Sequence, residues 1–154
     1  MTQNIPYDSS VDTLKHIRRV NHIILNFSKL LMERAQKHDS SKLETPEKEG
    51  FDIITVRLKN CVYMSKEYKD SLEELKDTLN HHYRNNSHHP EHYERGVEDM
   101  DLLDIIEMYC DWIAGGERNK DGSIFASINK NRDRFKLSDQ LANILKNTAE
   151  RYPQ

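Results

Sequence analysis

A chain of 154 residues, 36% hydrophobic and 32% charged, is long enough to bury a core and too polar for a membrane-embedded protein. Its net charge of −3, with no strongly basic block, makes nucleic acid an unexpected partner. Cys61 and Cys110 lie far apart and form no CxxC pair, which argues against a disulfide framework and a thiolate zinc site. The opening "MTQNIPYDSS" carries no apolar leader, and no apolar run reaches bilayer length, so a cytoplasmic protein with no membrane partner is expected.

Only five glycines and four prolines interrupt the chain, and helical periods dominate. The first helix, capped by Ser10 or Asp12, places Val11, Leu14, Ile17, Ile24, Phe27 and Leu31 at spacings near one or two turns. "HDSSKLETPEKEG" breaks that pattern. Thr45-Pro46 marks the start of a second helix running to about Cys61, with Glu47 in the first turn, where a carboxylate suits the helix dipole. "SKEYKDSLEELKDTLNHHY" predicts a third helix, with Tyr68, Leu72, Leu75 and Leu79 on one face. "RNNSHHPEHYERG" predicts a loop, marked by Asn85-Asn86, Pro90 and Gly96. "VEDMDLLDIIEMYCDWIAG" predicts a fourth helix closed by Gly115-Gly116. "SIFASINKNRDRF" and "SDQLANILKNTAERY" make two more, with Ser123 and Ser138 as caps. No repeat or linker is evident. The expected fold is all-α, a single-domain bundle over residues 1–154 with roughly six or seven helices.

The chemistry is concentrated in "HHYRNNSHHPEH", His81 to His92, which holds five of the eight histidines. Imidazoles that converge on a cation need carboxylates beside them. One is in the first break, where His38 and Asp39 can reach one ion if the backbone turns. Others are on the fourth helix. Asp104, Glu107 and Asp111 stand at i, i+3 and i+7 and share one face, bordered by Leu103, Ile106 and Cys110. Taken alone, that stripe reads as a solvated acidic face.

"HIRRV", "AQKHDSSK", the His-His pair and "EMYCDWIAG" together resemble the HD-domain metal-dependent phosphohydrolases. The resemblance implies an all-α metal-dependent fold with His16, His38, Asp39 and Asp111 as metal ligands. It also implies Lys42, three residues after Asp39, and a later pair, His88-His89, with His82 as a further histidine. "HDSSKLETPE", "HHYRNNSHHPEHYERG" and "EMYCDWIAGGER" are similar to a small family of bacterial and phage proteins of no assigned activity. On one straight helix His16 and His38 would sit about 33 Å apart. The assignment of His16 therefore requires the chain to turn back near Asn26-Phe27-Ser28.

Imidazole and carboxylate without thiolate suit one or two divalent ions, and favour Mn, Fe, Co, Ni or Zn over Mg. Asp39 can bridge two such ions. The expected function is a metal-dependent phosphohydrolase acting on a phosphate ester, with nucleotides among the candidate substrates. Asp39 and Lys42 are the expected catalytic residues, and Lys42, Arg84 and Arg118 the expected phosphate-holding cations. The alternative is a non-catalytic metal-containing protein that sequesters a phosphorylated ligand or a host partner. His81 and His92 are expected to orient ligands or to lie exposed, and His22 to pack on its helix. Glu91 is read as a proton carrier or a surface carboxylate. Among the three acids of the fourth helix, Asp111 is expected to be the ligand. It sits where the HD pattern places its closing Asp, on a turn that Cys110 and Ile113 hold to the core.

Overall fold

The computed structural model describes residues 7–58, 66, 75–118 and 122–152. Among them are six α-helices and no strand, so the protein is all-α. The helices are α1 (Ser10–Lys37), α2 (Glu47–Leu58), α3 (Lys76–Asn85), α4 (Leu102–Glu117), α5 (Ile124–Phe135) and α6 (Asp139–Arg151). Short 3-10 turns occupy Ser40–Leu43, Pro90–His92 and Gly96–Asp99. No helix among the described residues is long and apolar enough to cross a membrane. The chain divides into two compact units, one ending at Gln36 and one spanning Lys37–Gln154.

In the first unit, α1 runs without interruption through Asn26-Phe27-Ser28. The residues expected to break it are satisfied inside the helix. Asn26 Nδ2 lies 3.2 Å from His22 Nε2, and Ser28 Oγ donates to the Ile24 carbonyl at 3.0 Å. A hydroxyl that bonds back one turn needs no break in the backbone. The turn-back required for His16 is therefore absent, and about 30 Å of helix separates His16 from Gln36. None of the residues of α1 is buried. Val11, Leu14, Ile17, Ile24 and Phe27 of the expected apolar stripe are exposed.

The second unit holds the core. Packing of α4 on α5 and of α5 on α6 buries Tyr109, Ile128, Leu137, Ala142, Leu145 and Ala149. Trp112, Ile113, Phe135 and Leu141 close around them. Both predicted caps form. Ser123 Oγ accepts from Ala126 N at 3.1 Å, and Ser138 Oγ from Leu141 N at 3.2 Å. Each satisfies an amide that the first helical turn leaves without a partner. The start of α4 lies later than expected, at Leu102, because Asp101 caps it. Asp101 Oδ1 accepts from the amides of Leu103 and Asp104, and Asp104 Oδ2 accepts in turn from Asp101 N. Gly115 and Gly116, read as the end of this helix, lie inside it.

The other half of the unit packs α2 on α3 and on the Ser40–Leu43 turn. Gly50 allows the close approach, since a Cβ there would stand 2.9 Å from Thr78 Cβ. Leu75 and Leu79 are partly buried, as their shared face predicts, while Tyr68, Leu72 and Cys61 lie outside the described residues. This arrangement sets the start of α2, the end of α3 and the middle of α4 around the residues that follow α1.

Candidate metal centre

The centre begins where α1 stops. Asp39 adopts a left-handed backbone, φ 54°, a conformation that Asp tolerates better than most residues. The bend turns consecutive side chains inward together. Asp39 Oδ2 meets Lys42 Nζ at 2.5 Å and His38 Nε2 at 3.5 Å. Asp39 Oδ1 faces His82 Nε2 at 3.3 Å and His88 Nε2 at 3.6 Å. His89 Nε2 lies 2.9 Å from His82 Nε2, and Asp111 Oδ1 lies 3.8 Å from His38 Nε2. His38, Asp39, Lys42, His82, His88, His89 and Asp111 are thus brought together from four segments of the chain.

Carboxylates behind the rings decide their protonation. Glu47 Oε2 stands 2.8 Å from His82 Nδ1, and Glu107 Oε1 stands 2.9 Å from His38 Nδ1 and 3.1 Å from His88 Nδ1. An ionised carboxylate only accepts, so each of these Nδ1 atoms carries the hydrogen and each Nε2 presents a lone pair. Three lone pairs then point at Asp39, itself an acceptor. Two of the atoms concerned, Asp39 Oδ1 and His88 Nε2, are buried and have no hydrogen-bond partner. Buried acceptors without a donor are costly, and acceptors facing one another are the arrangement that a cation relieves.

The electrostatics agree with this geometry. Burial works against the charge of Asp39, but the Lys42 ammonium beside it favours the ionised form, and the carboxyl lies well below the usual carboxylate range. Burial, with His88 and His82 alongside, pulls His89 down to about 3, which keeps its ring neutral and its lone pair available. Burial alone would raise Glu47, yet the bonds from His81, His82 and Ser41 prevail and lower it. Two sets of ligand atoms lie close enough to share an ion. One is His38, Asp39 and Asp111, the other Asp39, His88 and His89. They have Asp39 in common. The set His38, His88 and Glu107 is also compact, but there Glu107 already accepts from both Nδ1 atoms.

Several expected residues lie elsewhere. His16 is exposed on α1, separated from the end of that helix as described above. Arg84 is exposed on α3, about 200° around the helix from His82, and so projects away from the face that bears the ligands. His22, expected to pack, is exposed. Arg118 caps the end of α4 and lines a cavity with Lys42 and Asp111. His92 bonds the Tyr83 carbonyl at 2.8 Å and is exposed. Glu91 pairs with Arg134 at 2.8 Å on the surface, which favours the surface-carboxylate reading.

Comparison with known proteins adds the family. Residues 6–151 match the model of DUF5662, described as a family of unknown function. The chain belongs to DUF5662. No curated protein and no solved structure matches it.

Two groups of this DUF5662 protein that sequence reasoning did not assign to the site are Glu47 and Glu107. Glu47 was legible only as a dipole-compatible acid at a helix start, yet it is fully buried under His81, His82 and Ser41. Glu107 shared a face with Asp104 and Asp111, and periodicity gives all three the same standing. Their neighbours separate them. Asp104 is fully buried but occupied, accepting from Ser87 Oγ at 2.7 Å, Tyr93 OH at 2.5 Å and Asp101 N at 3.1 Å. Asp111 is partly exposed and looks onto His38 Nε2. Asp104→Asn is therefore expected to lower stability by about 1–3 kcal/mol through mismatched buried donors, with metal affinity little changed. Asp111→Asn is expected to weaken metal binding at least about 10-fold at unchanged stability of the metal-free protein. Urea unfolding and metal titration of both variants check this; reversed outcomes would overturn the division of roles.

Proposed function

We propose that this protein is a metal-dependent phosphohydrolase of small phosphate esters, with one or two divalent ions held by His38, Asp39, His82, His88, His89 and Asp111. The observation that carries the reading is the pair Asp39 Oδ1 and His88 Nε2, buried, facing one another at 3.6 Å and without a donor. The donor set is imidazole and carboxylate, which favours Mn, Fe, Co, Ni or Zn over Mg. The motif resemblance to HD-domain phosphohydrolases supports the same reading through His38, Asp39 and Asp111, though not through His16.

When bound, such an ion acidifies water and offsets the charge of phosphate oxygens. The chain's own residues account for the rest. Glu47 and Glu107 hold His82, His38 and His88 in the tautomer that presents Nε2. Asp39 is kept ionised by its surroundings and stays available as a shared ligand. Lys42, paired to Asp39 and lining the adjacent cavity, places an ammonium where a phosphate oxygen would enter.

A screen of phosphomonoesters, nucleotides and cyclic nucleotides, with Mn, Co, Ni, Zn or Mg supplied in turn, tests the proposal. Turnover with a transition metal, abolished by chelator, is the expected result. Bound metal without turnover would favour the non-catalytic role of sequestering a phosphorylated ligand or a host partner. Protein that takes up no metal would end the metal-centre reading.

A further inference from the structure

Beside the metal centre lies an open cavity of about 540 Å³, lined from α4, α5 and the turn that carries Lys42. Asp111 lines it and belongs to a ligand set, and Lys42 lines it and pairs with Asp39, so the cavity opens onto the proposed reaction site. Its charge is unlike that of the whole chain. Among the described residues, three cations, Lys42, Arg118 and Lys130, line it with one carboxylate, Asp111, whereas the chain carries −3. A volume of this size suits a small molecule larger than a bare phosphate.

The cations are not all at one end. Arg118 follows Asp111 by seven residues along α4, so the two share a face about 10 Å apart. Opposite, α5 presents Ser127, Lys130 and Asn131 at i, i+3 and i+4, again one face. Between the ends sits Gly115. A Cβ added there would meet nothing within 4 Å, so the glycine borders open space inside a helix where it has no capping role. An interior helical glycine costs about 0.5–1 kcal/mol relative to alanine. Here it leaves room beside the wall formed by Trp112.

We propose that this cavity makes the protein selective for small phosphate esters that carry a second anionic group, with Arg118 receiving that group while the scissile phosphate lies at Lys42 and Asp111. The proposal rests on the hydrolase reading for its scissile end. The second anion is recognised through charge at the far end of the cavity, and the uncharged body of the ligand passes Gly115.

Hexane-1-phosphonate and hexane-1,6-bisphosphonate isolate the effect, because they share a body, differ in the second anion and cannot be hydrolysed. Binding to the metal-supplemented protein is measured by calorimetry. The bisphosphonate is expected to bind at least about 10-fold tighter than the monophosphonate, as for one added charge-assisted contact. Arg118→Gln should erase most of that preference and change monophosphonate affinity less than about 2-fold. Gly115→Leu, which fills the cavity without altering charge, should weaken bisphosphonate binding while thermal stability holds. Equal affinities in the wild type, no binding of either probe, or an Arg118→Gln loss shared equally by both would overturn the proposal. Absence of turnover in the ester screen, with the bisphosphonate preference intact, would instead count against the hydrolase reading alone. Turnover with no bisphosphonate preference would count against the cavity alone.

Discussion

Asp39→Asn is expected to abolish hydrolytic activity and weaken divalent metal binding by at least about 100-fold, more than loss of an outer supporting group produces. Asp39 belongs to two of the three compact ligand sets, and its Oδ1 lies within 3.6 Å of two imidazole nitrogens. Removing its charge leaves a cation under-neutralised among neutral rings. Asparagine is the informative replacement, because it tolerates the left-handed backbone at φ 54°, whereas alanine would add strain to the measurement. The metal-free protein should respond much less. In the wild type Asp39 Oδ1 and His88 Nε2 are both buried without a donor. An amide nitrogen at that place can donate to His88 Nε2. The lost partner, Lys42, is about one-third exposed, so breaking that pair costs no more than about 1 kcal/mol. In chelator, Asp39→Asn should therefore melt close to the wild type, while added Mn or Zn should raise the melting temperature of the wild type only. Full metal content in Asp39→Asn would remove Asp39 from the centre.

Glu47→Gln is the second large effect, and it acts without touching an ion. Glu47 is fully buried and receives three bonds, from His81 Nδ1 at 2.8 Å, His82 Nδ1 at 2.8 Å and Ser41 Oγ at 2.9 Å. Glutamine has nearly the same shape but offers one acceptor oxygen and one amide nitrogen. At least one donor is then left facing another donor inside the protein, which costs about 1–3 kcal/mol. If the mismatch falls on His82, its ring changes tautomer and its Nε2 lone pair is lost to the centre. Metal affinity should fall by about 10- to 100-fold, the size typical of groups that orient ligands. Urea unfolding in chelator and metal titration at neutral pH read the two effects separately. Stability lost with metal affinity unchanged would confine Glu47 to a structural role. No change in either would show that the histidines need no such support.

The histidine-rich segment shows how far local sequence reaches. Asn86 and Pro90 mark a turn between His82 on a helix and His88-His89 beyond it, and turn chemistry is local enough to be read from residue types. Asn86 is buried and bonds the His82 carbonyl and Ser41 Oγ, both at 2.8 Å, which fastens the turn to the segment after His38-Asp39. The caps of α5 and α6 were legible for the same reason, since a serine hydroxyl and an amide three residues on need no tertiary partner. The break expected at Asn26 and Ser28 was not legible correctly. Those residue types end helices in some contexts and bond within them in others, and only the fold selects between the two.

By itself, the sequence determined the helical class, the capped starts of the last two helices and the residue types able to gather around a cation. Those properties depend on backbone propensity, periodicity and ligand chemistry, all of which act over a few neighbouring residues. Tertiary structure alone decided which acids serve the histidines. Asp104, Glu107 and Asp111 have equivalent places on one helical face, yet Asp104 is taken by Ser87 and Tyr93, Glu107 by His38 and His88, and Asp111 looks onto His38 Nε2. Glu47 lies 34 residues from His81 and becomes its partner only because α2 and α3 close over Gly50. A carboxylate's role follows from the donors that packing brings to it, and those donors come from segments whose approach no local pattern encodes.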